Sequence, residues 1–471
     1  MNALLHAPNI QYDADEHFRY LETLAQARLP NLEDSKEFFS PPLPYLVPAI
    51  LLQTTASGPW AAVKIGQIFN VFLSLATTYT LLKICNRLRP GEAGAKLATL
   101  GMLGILPVYY KTFAYVRGEP FVALFTLLSI YFALQLFTPD LHQTSTSPSK
   151  QSSLILFLGI CLGLGVLSRQ WGFFLFPALA VFVVLQKFYT SWSQWKTWAS
   201  ALSLSFAIAF LVGGWFYLSL FARYGTVTAF NRAPQTSFSF SNQPAEFYTG
   251  LGLDQLFTLP VRSAFPNQFF PIFYSELWGD YWGYFVVAGR DTRTNELLVG
   301  SLQEPRWSRT PMPDWFVTNK EEVAPYLGRV NLLALLPSLL LFAGLALGLY
   351  HLARFFRQAN PTEAGNALLT LILLASLAGY FWFLVRYPNP GKGDTIKASY
   401  MLHIFPILAL LAGQVLHSFL KTSSIKRLST IFILTGITLH NLPAMITHYI
   451  PWNVLVYSPP FSWLMAYLPW H

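Results

Sequence analysis

Apolar residues run along this chain in long unbroken stretches separated by short polar breaks. A helix that crosses a bilayer needs about 20 mostly apolar residues, with about 17 as the lower limit. By that measure spans are expected near residues 65–86, 97–112, 119–137, 153–168, 172–189, 199–221, 331–352, 366–386, 400–420 and 428–447. Several are short, notably 97–112 and the pair on either side of Arg169. Pro107, Pro177, Pro337, Pro406 and Pro443 fall inside these stretches, where neighbouring helices re-satisfy freed carbonyls. Lipid offers the backbone no hydrogen-bond partner, so runs of this kind must be helices. The pattern predicts an all-α polytopic membrane protein with about ten transmembrane helices. No internal repeat is visible.

Composition sharpens this. Hydrophobic residues make up 53% of the 471 and charged residues 11%, with a mean hydropathy of +0.40. A soluble domain carries roughly 25% charged residues. Cys85 and Cys161 both lie in apolar runs, so neither a disulfide nor a zinc site is expected. The formal net charge of +9 raises the question of nucleic acid, and its distribution answers it. If the chain changes side at every span, one side holds residues 83–96, 138–152, 187–198, 353–365 and 420–427. Those loops carry twelve Lys and Arg against three acids, Glu92, Asp140 and Glu363, while all remaining segments hold nineteen of each. The excess therefore sits in short loops on one side, as cytoplasmic loops do. The basicity signals topology, and no nucleic-acid partner is implied.

This topology divides the chain into a first outer segment (1–64), a six-helix membrane core (65–221), a large outer loop (222–330), a four-helix part (331–447) and an outer tail (448–471). No signal peptide precedes the first outer segment, and Met1–Ile10 is too short to span. Either a helix lies upstream or the segment crosses as a tail. The upstream helix is the expectation, which would bring the spans to about eleven.

Within the first outer segment, Tyr12-Asp13-Ala14-Asp15-Glu16-His17-Phe18 places three carboxylates within four residues. Their mutual repulsion suits one of them to act as a base. The competing reading is a solvated N-cap, Asp13 or Asp15, ahead of the helix-like run Glu16–Arg28. The outer loop contains Glu276-Leu277-Trp278-Gly279-Asp280-Tyr281-Trp282-Gly283-Tyr284. Aromatic faces around a carboxylate suit sugar recognition, and Trp and Tyr equally form interfacial belts. His17, His351, His403, His417 and His440 show no metal-ligand spacing and read as packing or interface residues. A transporter or lipid flippase would need ionisable residues at mid-membrane depth or broken helices facing a central site, whereas the charges here gather at span ends. A polysaccharide ligase is a further alternative.

An acidic pair early in the first outer segment, a downstream Leu29-Pro30, and then Pro41-Pro42-Leu43 resemble the GT-C glycosyltransferases. These include the protein O-mannosyltransferase and aminoarabinose-transferase relatives (glycosyltransferase family 39-like). Arg117-Gly118-Glu119-Pro120-Phe121 with Leu124-Phe125 resembles the family's acidic residue at the second outer loop. Gly163-Leu164-Gly165-Val166-Leu167-Ser168-Arg169 resembles its glycine-rich span ending in a cation, where lysine is commoner. Lys397-Ala398-Ser399-Tyr400 followed by Pro406 resembles its late basic-Tyr-span-Pro pattern, usually Arg-Tyr. Segment 222–330 carries no motif that contributes to the resemblance.

The resemblance implies a GT-C-like fold and a polyprenyl-phosphate-linked sugar donor lying in the membrane. A glycan, lipid or protein acceptor would approach from outside, in a single inverting displacement. Such chemistry needs a base for the acceptor hydroxyl and cations for the leaving phosphate. The implied base is Asp15, with Glu16 or Asp13 as alternates. The implied phosphate ligands are Arg169, Arg386, Lys392 and Lys397, with Tyr400, although interfacial snorkelling also places cations at span ends. Glu119, Trp278, Asp280 and Trp282 are the candidates for sugar or acceptor binding. No cofactor is expected, the alternative being a divalent ion at Asp13 and Asp15. The implied location is a cell membrane, with the active site on the non-cytoplasmic side (the ER membrane in a eukaryote).

Overall fold

The structure is a computed structural model describing residues 2–6, 8, 11–55, 58–138, 148–230, 237–262, 264–283, 285, 324–357, 361–389, 391 and 393–446. Among these residues every regular element is a helix. Among the described residues eight helices are long and apolar enough to cross a membrane: Pro59–Leu88, Glu119–Phe137, Pro148–Ser168, Trp192–Tyr224, Ala324–Phe355, Glu363–Arg386, Ala398–Leu420 and Ser424–Met445. Leu43–Thr54 and Gln170–Gln186 are shorter apolar helices. The all-α, multi-span architecture expected from the hydropathy pattern is the one observed.

The span count differs from expectation at two places, each with a local cause. The stretch 97–112 is two helices, Ala93–Gly104 and Pro107–Phe113, separated at Leu106, whose backbone is extended (φ −89°, ψ 104°). Proline has no amide hydrogen and pushes its predecessor out of the helical region, yet it starts a new helix readily. The stretch 172–189 is likewise split, into a 3-10 turn at Gln170–Phe174 and the helix Leu175–Gln186. The helices ending at Tyr224 and beginning at Ala324 both encroach on the loop assigned to 222–330. The described part of that loop carries the short helices Ala245–Thr249, Leu253–Thr258 and Phe269–Trp278. The tail 448–471 and Lys392 lie outside the described residues.

Helices in lipid associate through close backbone approach at small residues, and one such crossing shapes the bundle. A Cβ added to Gly163 would lie 2.6 Å from the Val212 Cβ, and one on Gly213 would lie 2.5 Å from the Gly163 carbonyl oxygen. The Trp192–Tyr224 span takes a π-turn at Phe210–Gly214 where this contact occurs, the kind of local widening that re-aims a helix.

Contacts bring the helix ends at Leu88, Phe137, Phe355 and Leu420 to one end of the bundle, with the split stretches 93–113 and 170–186 returning the chain between spans. The basic loops gather there: Arg87 donates to the Thr138 carbonyl at 2.6 Å, Lys421 faces Glu92 at 3.6 Å, and Arg354 faces Glu363 at 3.3 Å. At the opposite end, residues 11–55 form a packed cover. Phe18, Tyr20 and Leu21 of the helix Ala14–Ala25 bury against Tyr45, Ala49, Val63 and Val116. Phe38 and Phe39 bury against Val166, Leu167, Phe216 and Leu220. This cover closes over the site described next.

Candidate active site

Arg169 follows directly on the span Pro148–Ser168, in extended backbone (φ −163°, ψ 154°) that turns its side chain under the cover. The guanidinium is buried and contacts two carboxylates, Glu37 at 3.1 Å and Glu119 at 3.3 Å, and it donates to the Ser40 hydroxyl. Glu119, the first residue of its span, also faces Arg117 at 3.8 Å. The Arg117 guanidinium lies 4.8 Å from the Tyr12 ring centre. Lys397 lies against three rings, 4.4 Å from that of Tyr12, 5.2 Å from Trp282 and 5.3 Å from Tyr400, and it faces the Asp13 carboxylate at 3.7 Å. Asp13 is half-exposed while Lys397 is buried. Three cations and three carboxylates thus meet where residues 11–40, 117–119, 169 and 397–400 converge.

The electrostatics follow from burial opposed by pairing. Burial pushes the Glu37 carboxyl up, but Arg169 and Arg117 outweigh it and hold the group below the usual carboxylate range. Burial likewise works against the Arg169 charge, and Glu119 and Glu37 more than compensate, so the guanidinium stays firmly protonated. The hydrogen bonding is less complete than the ion pairing. Arg117 is 1% exposed, yet its Nε, Nη1 and Nη2 have no protein hydrogen-bond partner, and neither oxygen of Glu119 has one. Buried polar atoms are nearly always satisfied. A cluster with this many spare donors suits an anionic ligand that brings its own oxygens.

Asp15 sits in the first turn of the helix Ala14–Ala25, partly buried, two residues from Asp13, which adopts the left-handed conformation (φ 55°, ψ 29°). Glu16 is buried and turned into the cover, where its Oε2 accepts from the Lys36 amide at 2.7 Å. That bond ties it to the loop after the helix. Tyr400 bridges the two cation groups, 5.8 Å from Arg169 and 5.3 Å from Lys397. Arg386 is partly buried at the end of its helix and does not join the ion-pair cluster.

The aromatic motif of the loop is placed differently from a surface for stacking sugars. Trp278 is fully buried, and Asp280 is buried with its carboxylate accepting from the Phe285 amide at 2.9 Å. Both lie inside the loop, which Lys111 also enters to donate to the carbonyls of Glu276 and Gly279. Trp282 alone of the three borders the cluster, 4.5 Å from the Arg262 guanidinium on one hand and 5.2 Å from Lys397 on the other.

Three residues that organise the site escape the sequence argument. Arg117 was visible only as a neighbour of Glu119. Glu37 lies in a polar stretch without pattern. Glu276 is the third, and it joins the outer loop to the site. It accepts from the Tyr12 hydroxyl at 2.5 Å, the Ala398 amide at 3.0 Å, the Ser399 hydroxyl at 3.2 Å and the Trp282 indole at 3.3 Å. Among the described residues no group of three or more His, Cys, Asp or Glu is arranged to hold a metal ion.

Gly118 shows how tightly the parts fit. A Cβ there would lie 2.1 Å from the Ser168 carbonyl oxygen and 3.0 Å from the Arg169 Cβ. Gly118→Ala should therefore separate Arg117 and Glu119 from Arg169, at an overpacking cost of about 1–3 kcal/mol. A clear fall in the detergent melting temperature is expected, and an unchanged melting curve would show that the turn yields freely.

With this geometry in view, residues 43–223 match the family model of dolichyl-phosphate-mannose-protein mannosyltransferase. The match includes Glu119 and Arg169, two of the positions that carry the resemblance, and begins after Asp13 and Asp15. No curated protein matches the chain. Among solved structures, apo ArnT from Cupriavidus metallidurans is similar at 14% identity and a TM-score of 0.47, covering 92% of this chain and 59% of that one. The oligosaccharyltransferase AglB from Archaeoglobus fulgidus, in complex with an inhibitory peptide and a dolichol-phosphate, is similar at 13% identity and a TM-score of 0.47, covering 99% of this chain and 56% of that one. ArnT bound to undecaprenyl phosphate is similar at 15% identity and a TM-score of 0.39, covering 90% and 78%. The chain spans little more than half the length of the first two.

Proposed function

We infer that this protein is an integral membrane glycosyltransferase that takes its sugar from a polyprenyl-phosphate donor and works at the non-cytoplasmic face. The observation that carries the reading is the buried Arg117–Glu119–Arg169–Glu37 array, whose spare guanidinium donors lie beside Lys397 and Tyr400. A phosphate monoanion or dianion supplies the oxygens this array lacks. Guanidinium binds phosphate bidentately and lysine adds a point charge. Arg117 thereby joins Arg169, Lys397 and Tyr400 as a phosphate ligand, and Arg386 and Lys392 are kept as further phosphate candidates on the sequence pattern alone.

In the reaction, Asp15 accepts the proton of the acceptor hydroxyl as that oxygen forms a bond to the anomeric carbon from the side opposite the phosphate. The bond from the anomeric carbon to the phosphate oxygen breaks, and the lipid phosphate leaves with the electron pair, stabilised by the cations. Configuration inverts. Asp13, paired with Lys397, positions that lysine, and Trp282 borders the acceptor approach. The three cations supply the positive charge that a divalent ion would otherwise bring, so the reading needs no resident metal. The membership of the acceptor among glycans, lipids or proteins is open to the same assay.

The test is transfer by purified protein in lipid nanodiscs, offered radiolabelled polyprenyl-phosphate sugars and candidate acceptors. Label moving to acceptor supports the reading, and lipid that is merely translocated supports a flippase. The face is tested separately. Cys85 and Cys161 are buried, so a single introduced cysteine reports cleanly. One at exposed Ser241 is expected to react with an impermeant reagent in intact cells, and one at exposed Ser423 is expected to be shielded. Labelling at Ser423 alone would invert the assigned face.

A further inference from the structure

A histidine that the mechanism above leaves unused lies inside the same cluster. His17 is carried on the helix Ala14–Ala25, one turn beyond Asp13, and its ring is 3% exposed. Its Nδ1 is 2.7 Å from the Tyr45 hydroxyl, and the two rings stack at 5.7 Å and 24°. Tyr45 is itself held by Tyr20, whose ring stacks on it at 4.3 Å and whose hydroxyl donates to the Ser40 carbonyl at 2.8 Å. Ser40 is the residue that receives Arg169. The imidazole Nε2 is buried and has no protein hydrogen-bond partner.

These contacts fix the chemistry of the free nitrogen. The Tyr45 hydroxyl is buried, and its hydrogen needs an acceptor; among the described residues the partner in place is His17 Nδ1. A proton donated to Nδ1 leaves the hydrogen of a neutral imidazole on Nε2. Burial, followed by Arg117 and Arg169, pushes the ring well below its usual pKa, so a further positive charge does not form beside those cations. The result is an uncharged N–H donor, locked in tautomer, within the cation cluster.

We propose that His17 is a neutral hydrogen-bond donor to the leaving lipid phosphate, with Tyr45 as the positioning residue that sets its tautomer. This rests on the glycosyltransferase reading above. A neutral donor has a specific advantage here. It contributes to an oxyanion-type site without adding repulsion among Arg117, Arg169 and Lys397, and its geometry is set before the phosphate charge develops. Removing one such donor typically lowers turnover by about 10²–10³-fold.

The experiment compares His17→Ala, His17→Gln, Tyr45→Phe and the double variant His17→Gln/Tyr45→Phe. Detergent melting temperature serves as the folding control. Two readouts are taken, binding of polyprenyl phosphate without sugar and the turnover of sugar transfer. His17→Ala is expected to lose turnover by about 10²-fold or more and to bind the lipid phosphate more weakly. His17→Gln retains an N–H donor and should recover much of both. Tyr45→Phe should lower turnover in the wild-type background yet change little in the His17→Gln background, since glutamine has no tautomer to set. A merely structural role for Tyr45 would lower both alike and would overturn the proposal. So would His17→Ala binding and transferring like the wild type, in which case the glycosyltransferase reading stands and only this assignment falls. Wild-type protein that neither binds the lipid phosphate nor transfers sugar would remove both.

Discussion

Asp15→Asn is expected to abolish detectable sugar transfer while the protein accumulates and melts in detergent like the wild type. Asparagine keeps the size of the side chain and much of its hydrogen bonding but cannot take a proton near neutral pH. General-base assistance typically contributes 10²–10⁴-fold, or about 3–5 kcal/mol of barrier at 1.36 kcal/mol per tenfold. The three neighbouring carboxylates are not equivalent in the structure. Glu16 is buried and holds the Lys36 amide, and Asp13 faces Lys397 at 3.7 Å. Asp15, in the first turn of its helix, is assigned the base on the sequence pattern. Glu22→Gln, further along the same helix and half-buried, controls for loss of charge and should be nearly silent. If Asp13→Asn is the inactive variant instead, the enzyme class stands and the base moves by two residues. Full transfer by Asp15→Asn, Asp13→Asn and Glu119→Gln together would leave the reaction without its acid–base machinery, and a flippase would be the better account.

The fold was legible because lipid leaves the backbone one local solution, and long apolar runs announce it. What hydropathy could not show was where an apolar run stops being a single rod. Around Pro107 the average stays apolar while the backbone leaves the helix for one residue and restarts. The site was legible in part, for a related reason. Arg169 and Lys397 stand at the ends of apolar spans, where a cation is conspicuous. Glu37 meets Arg169 across 132 positions of sequence and Glu276 meets Ala398 across 122, separations at which no local pattern signals contact. Burial also reversed the meaning of the tryptophan-rich motif. Trp278 reads in sequence equally as a sugar platform or an interfacial anchor, and the structure buries it in the loop near the Lys111 hydrogen bonds.

Arg169 is a strut by its contacts and a phosphate ligand under the proposed function, so its removal should act twice, and the two effects can be separated. Arg169→Met leaves Glu37 and Glu119 buried with their shared partner gone. Breaking a buried ion pair in this way costs about 3–5 kcal/mol, chiefly from the stranded charge. A large drop in melting temperature and complete loss of transfer are expected for the single variant. Glu37→Gln and Glu119→Gln remove the stranded charges, and buried ion pairs can be replaced by neutral groups with little net loss. The triple variant Arg169→Met/Glu37→Gln/Glu119→Gln should therefore recover most of the melting temperature. It should still fail to bind polyprenyl phosphate, because the cation that faces the ligand is absent. Arg357→Ala, at the opposite end of the bundle and exposed, is the control and should bind like the wild type. Recovery of both stability and lipid-phosphate binding in the triple variant would reduce Arg169 to a strut and pass the phosphate to Arg117 and Lys397. Recovery of neither would mean that the guanidinium is needed to build the cover itself, through its bond to Ser40 and its contact with the Phe39 ring at 5.9 Å.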